Sequence, residues 1–155
     1  MLCKAVTPVL FAAALALAAC ADKGPYLDIS GGGFIFNYAQ SEAYAGFLAA
    51  PLRSLPEHAR IEATFENPAG GPPIELAKDV TAKRREYSFM TDALTGIKAD
   101  KDYKVTIRLV AADGKTLETI DKIFHSDVDQ SVLDGKPLTA GPGNTETPAL
   151  APSGG

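Results

Sequence analysis

His125, Asp127 and Asp129 fall within five residues in the segment HSDVDQS, and together they could offer a metal ion one imidazole and two carboxylates. Zinc and copper accept such ligands, but their sites carry more spacing information than this. The segment reads better as a solvated stretch after the last strand. His58, the other histidine, lies far away in sequence. Asp100 and Asp102 form a D-x-D pair, and Asp92 and Asp113 fall in other turn-like stretches where calcium could bind. The remainder of a calcium-ligand loop is missing. Gly31-Gly32-Gly33 would cradle a phosphate if a helix N-terminus followed, but FIFNYAQ follows, rich in strand formers. KRREY, residues 83–87, is the one basic cluster. It could meet anionic headgroups or acidic glycans, and it reads more simply as a solvated edge that discourages edge pairing. There is no Gly-x-Ser-x-Gly elbow and no nucleophile–base pair to name, so no catalytic residue and no cofactor is expected.

One residue does have a chemical reading. Cys20 closes an apolar run and is followed by Ala21, Asp22 and Lys23. The run begins after Lys4 and is apolar from Ala5 to Ala16 except at Thr7 and Pro8. A weakly basic start followed by a short apolar stretch is the layout of a secretory signal. A spanning helix needs about 20 apolar residues, slightly more than are present. Leu17-Ala18-Ala19-Cys20 resembles the lipobox of bacterial lipoproteins. The resemblance implies a signal peptide over residues 1–19, cleavage after Ala19, a diacylglyceryl group on the Cys20 thiol, and acylation, palmitate for example, of the new amino terminus. One acyl chain binds a membrane only marginally, whereas two or three hold a protein there almost permanently. Ala21 stands where inner-membrane retention in enteric-type bacteria typically places an Asp, so the outer membrane is the favoured location.

Removal of residues 1–19 would leave 136 residues, enough for one domain with tails. Cys3 and Lys4 would leave with the signal, so Cys20 would be the sole cysteine, and 14 basic residues would face 19 acidic ones. No disulfide is then expected, and nucleic acid is a poor match for so acidic a chain.

The elements that must position any site are strands. Phe34, Phe36 and Tyr38 alternate with Ile35, Asn37 and Ala39, which predicts a strand with its aromatic face inward. EAYAGFLAA reads as a further strand, and PLRSLPE as a loop in which Pro51 and Pro56 remove two ladder donors. ARIEATFEN alternates clearly, with Ile61, Ala63 and Phe65 on one face. NPAGGPP ends it with strong turn residues. IELAKDV, RREYSFM and YKVTIRLVA follow, the last with Tyr103, Val105, Ile107 and Leu109 on one face. Asp113-Gly114 marks a hairpin, and the phase change from Leu117 to Ile123 and Phe124 in the returning strand suggests a bulge. About seven short strands with turns between them predict an all-β fold, a single antiparallel β-sandwich over residues 31–129. Residues 20–30 read as a lipidated tether. Residues 130–140 read as a possible added strand, with Val132, Leu133 and Leu138 docking. The Gly/Pro/Thr/Ser-rich residues 141–155 read as a disordered tail.

GIKADKDYKV, residues 96–105, resembles the corner between strands E and F of fibronectin type III domains, in which an apolar residue precedes a tyrosine by six positions. Ile97 and Tyr103 have that spacing, and Ala99 stands where a proline is usual. The resemblance implies an immunoglobulin-like sandwich in which the Tyr103 hydroxyl bonds backbone near Ile97. Fold analogy does not assign an activity. The expected function is therefore that of a non-enzymatic lipoprotein, anchored in the membrane through Cys20, that binds or assembles with another envelope protein. The alternative is a ligand-binding module for polysaccharide or a metal ion.

Overall fold

The computed structural model describes residues 24–133, together with the short strands Thr139–Ala140 and Thr145–Glu146. The lipobox, Cys20 and the rest of residues 1–23 lie outside the described residues. Seven antiparallel strands form the body: β1 Leu27–Asn37, β2 Glu42–Pro51, β3 Arg60–Phe65, β4 Ile74–Asp79, β5 Tyr87–Met90, β6 Lys101–Val110 and β7 Thr116–Ser126. They make a three-stranded sheet ordered β1-β2-β5 and a four-stranded sheet ordered β4-β3-β6-β7. The two sheets pack as a sandwich, as the alternation of apolar residues predicts.

That alternation holds most closely in β3 and β6. Ile61, Ala63 and Phe65 are buried in β3, as are Tyr103, Val105, Ile107 and Leu109 in β6, and the two strands pair Ile61 with Leu109 and Ala63 with Ile107. Tyr87 and Phe89 are the buried residues of the short β5. In the absence of tryptophan, rings carry the core. Tyr103, Phe34, Phe124, Phe65, Phe47 and Phe89 form an unbroken series of ring contacts, with neighbouring centroids 4.9 to 6.4 Å apart. The series crosses between the sheets three times, so aromatic packing ties both layers together.

Three strand boundaries differ from expectation. The sandwich starts at Leu27 rather than at residue 31, because Leu27 and Ile29 pair with Pro51 and Ala49 and are buried. The expected tether thus loses its last four residues to β1. The glycines inside β1 explain why periodicity hid this start. The register shifts between Ser30 and Gly33, and a Cβ on Gly32 would stand 2.8 Å from the Phe124 ring. The strand therefore bulges and passes close to a core ring where only glycine fits. Tyr38 lies in the turn after β1 and is 59% exposed, so the aromatic face ends at Phe36. Arg85 and Glu86 precede β5 instead of belonging to it.

The bulge expected in the returning strand sits at its start, where Leu109 pairs with Glu118 but Val110 pairs with Thr116. Leu117 is the extra residue, which is why its phase disagrees with that of Phe124. Gln130–Leu133 is a 3-10 turn and not a strand. Asp129 Oδ1 accepts a hydrogen bond from Ser131 N–H at 3.0 Å, which favours turning over extension. Leu133 is buried by that turn, whereas Val132 is 46% exposed. Thr145–Glu146, expected within the tail, pairs with Thr139–Ala140; Leu138 and the rest of residues 141–155 lie outside the described residues.

Candidate functional site

The two ends of the sandwich differ in chemistry. At one end the residues flagged by spacing come together in part. Asp102 on β6 pairs with His125 on β7, so their side chains meet across the ladder with His125 Nδ1 2.6 Å from Asp102 Oδ1. Asp127 Oδ1 lies 3.4 Å from the other ring nitrogen. Asp129 turns away, accepting from Ser131 and pairing with Lys98 Nζ at 3.5 Å. Asp113 caps its own hairpin by accepting from Lys115 N–H at 3.0 Å, and His58 lies at the opposite end of the sandwich. Among the described residues no group of three His, Cys, Asp or Glu side chains is arranged to hold a metal ion.

The hydrogen bond to Asp102 is the main cause that holds His125 above its ordinary value, with the charges of Asp102, Asp127 and Asp100 adding to it against a smaller opposing desolvation. The folded chain therefore binds this proton more tightly than the unfolded chain. The resulting stability is fully present below about pH 6.5 and is lost as pH rises through the folded pKa. Asp121, bonded first by Thr106 and then by Lys104, is lowered, and so is Asp129 through Ser131. Their contributions have the opposite dependence: present above the ordinary carboxylate range and lost in acid. Melting temperature is expected to fall as pH rises above about 6.5 and through the raised pKa of His125. His125→Gln should flatten that limb and leave the acid limb in place; an unchanged slope in the variant would contradict the pairing.

The corner stands beside this cluster. Ile97 is fully buried, and Tyr103 Oη accepts a hydrogen bond from Lys98 N–H at 2.8 Å. Gln130 completes the corner. Its Oε1 accepts from Ile97 N–H at 3.2 Å, its Nε2 donates to the Leu94 carbonyl at 2.6 Å, and its own N–H donates to the Ile97 carbonyl at 3.0 Å. Sequence reading missed Gln130, because a glutamine after an acidic stretch carries no spacing signal. Tyr103→Phe leaves the Lys98 N–H without its acceptor, so a loss of about 0.5–1.5 kcal/mol is expected, rising toward about 3 kcal/mol if no water replaces the hydroxyl. A denaturation midpoint equal to wild type would show that the hydroxyl contributes nothing to the corner.

The other end holds an open cleft of about 580 Å³ between the β2–β3 loop and the β4–β5 loop. Both loops are stiff. Pro51 and Pro56 bracket the first, and Val80 N–H donates to the Ala59 carbonyl at 2.8 Å, joining the two loops at their base. Tyr87 pins the second, since its Oη accepts from Thr81 N–H at 3.1 Å and donates to the Thr81 carbonyl at 3.3 Å. Lys83 sits at φ 70°, so the tip of the loop is a tight reversal.

Arg53, His58, Lys83 and Arg84 line the cleft, with Glu57 as the acid among the lining residues. The Arg84 guanidinium lies 5.4 Å from the centre of the Tyr87 ring, and the Arg53 guanidinium 3.4 Å from that of Tyr26. Stacking holds both planar groups in place without consuming all their donors. Arg53 Nε is buried and has no hydrogen-bond partner among the described residues. Such a donor costs stability until an acceptor reaches it. Lys83, Arg84 and Tyr87 of the KRREY cluster thus line a concave cationic site, where a solvated edge that discourages pairing was the simpler expectation. Arg53 escaped sequence reading because a single arginine in a loop has no period. The two prolines around it were the available signal.

Tyr26 ties the cleft to the start of the chain. Glu118 accepts from Tyr26 N–H at 3.2 Å and from Leu27 N–H at 3.0 Å, and Leu52 N–H donates to the Tyr26 carbonyl at 2.9 Å. The backbone is therefore held from residue 26 onward, beside Arg53. Among the described residues no helix is long and apolar enough to cross a membrane.

The sequence matches no protein-family model, and no curated protein matches it. Among solved structures it is similar to a family 76 glycoside hydrolase from a bovine Bacteroides thetaiotaomicron strain, with 13% identity and a TM-score of 0.40 over 63% of this chain and 20% of that one. It is similar also to OgpA from Akkermansia muciniphila, as wild type and as a catalytically inactive form with an O-glycopeptide substrate. Those matches have 13% identity and a TM-score of 0.41, and cover 67% of this chain and 29% of theirs. The chain thus spans less than a third of the length of these proteins.

Proposed function

We propose that this chain is a lipid-anchored envelope lipoprotein, most at home in the outer membrane, whose sandwich binds or positions another envelope protein without performing chemistry of its own. The observation that supports the reading is the closeness of a rigid domain to a lipobox cysteine. Five residues separate Cys20 from Tyr26, where Glu118 and Leu52 already fix the backbone. A module on so short a leash presents a defined face to its neighbours in the membrane. Cross-linking intact envelopes and capturing the full-length chain tests this. One saturable protein partner is the expected result, and recovery of only the bulk of the lipoproteins contradicts it.

A second reading is favoured by the cations of the end cleft: a module for acidic polysaccharide. Calorimetry with acidic and neutral glycans separates the two, since this reading requires heat from the acidic series alone. Metal ions are the weaker form of that reading, because the His125 imidazole already has Asp102 and Asp127 as partners.

A further inference from the structure

We infer that the end cleft is a docking site for the phosphate of an anionic phospholipid in the leaflet that carries the anchor, so that the sandwich stands on the membrane with Arg53, Lys83 and Arg84 downward. The inference rests on the reading of Cys20 as lipidated, and adds to it the orientation of the domain and the chemistry of the surface it meets.

Reach supports this occupant. From Cys20 to Tyr26 there are six Cα steps, which span at most roughly 20 Å when extended. Tyr26 cannot leave the body to lengthen the tether, since its N–H is held by Glu118 and its ring lies under Arg53. The cleft that Arg53 lines is therefore held within about one tether length of the acyl chains, close enough to reach the headgroup layer.

Charge supports it as well. Arg53, Lys83 and Arg84 converge on one concavity, and arginine presents a planar fork that matches a phosphate. Arg53 Nε is a buried donor still lacking an acceptor. The opposite end carries Asp92, Asp100, Asp102, Asp127 and Asp129, with Lys98 and Lys101 among them. The cleft end also holds Glu57, Asp113 and Glu118, so its cationic excess is confined to the cleft itself. An anionic surface attracts the cleft and repels the corner end. With a Debye length of about 8 Å, this selection acts only on the end already near the surface, which the tether makes the cleft end.

The test uses the full-length chain, processed in cells, purified and reconstituted into vesicles of phosphatidylcholine with or without phosphatidylglycerol. Ser54→Cys in the cleft and, separately, Ala99→Cys at the corner each supply a thiol for a fluorophore, and headgroup spin-labelled lipid quenches whichever end lies down. Quenching at Ser54→Cys that increases with phosphatidylglycerol, and none at Ala99→Cys, is the expected result. One cation near an anionic surface shifts such an equilibrium roughly five-fold. Lys83→Asn with Arg84→Gln should therefore lower the ratio of docked to undocked domains roughly 25-fold. Both positions are exposed, and asparagine suits the positive φ at Lys83, so the fold should survive. Lys98→Gln with Lys101→Gln removes the same charge at the corner and should change nothing.

The mass of the amino-terminal peptide separates failure of the inference from failure of the reading beneath it. An acylated chain quenched equally in both vesicles overturns the docking site and leaves the anchor standing. A chain without acyl groups that ignores both vesicles overturns both. A chain without acyl groups that still binds phosphatidylglycerol through Lys83 and Arg84 keeps the cleft and removes the anchor. An acidic glycan that perturbs the Ser54 label where phosphatidylglycerol does not assigns the cleft to polysaccharide and overturns the lipid.

Discussion

Phe47→Ala is expected to destabilise the domain by about 3–5 kcal/mol, the range for removing a large ring from a packed core. Phe47 is only 4% exposed and joins the two layers. Its ring stacks on Phe89 of the same sheet with centroids 4.9 Å apart, and leans on Phe65 of the other sheet at 5.8 Å. Its loss breaks the ring series at the one place where β2 reaches across to β3. The cavity cannot collapse easily, because Ala43, Ala45 and Ala49, the other buried residues of β2 apart from Gly46, are too small to fill it. Domains of this size have about 5–15 kcal/mol in total, so the variant should lie near the limit of folding at ambient temperature. Urea denaturation measures the change. Phe36→Ala, at a half-buried end of β1, should cost much less. A loss below about 1 kcal/mol at Phe47 would mean that the aromatic series is not what unites the sheets.

The strands that could be read from the sequence were those with one wet and one dry face. In β3 and β6 every second residue is apolar, and that pattern alone dictates which side chains meet between the sheets. The start of β1 was hidden for a physical reason. Three glycines interrupt the alternation, and the middle one, Gly32, brings backbone against the Phe124 ring, which is a property of the partner and not of the segment. The 3-10 turn at Gln130–Leu133 was hidden for another. Its apolar residues suit a strand, and only Asp129 capping Ser131 and Gln130 reaching Ile97 and Leu94 decide otherwise. The corner was legible through the resemblance of GIKADKDYKV to the fibronectin type III corner, which implies the bond that Tyr103 Oη makes to backbone beside Ile97. The cleft was half legible. Residues 83–87 announced themselves as a charge cluster, but Arg53, 30 residues earlier, joins them only through the folding of two loops.

Cys20→Ser is expected to have the largest cellular effect. A serine hydroxyl is a far weaker nucleophile than a thiolate near neutral pH and should not accept the diacylglyceryl group in its place. Without that group the precursor should remain uncleaved and carry no acyl chain. Each buried acyl methylene contributes about 0.8 kcal/mol, so loss of two or three chains removes far more than the end cleft could replace. Labelling cells with palmitate should mark the wild type and leave the variant unmarked. Lys83→Asn, which touches only the cleft, should keep the label. The most direct measurement is the intact mass and fragmentation of the amino-terminal peptide of the mature protein. The account predicts a chain that begins at Cys20 and bears diacylglyceryl on its sulfur and an acyl group on its amine. A mature chain that begins elsewhere, or that begins at Cys20 with an unmodified thiol, would contradict it.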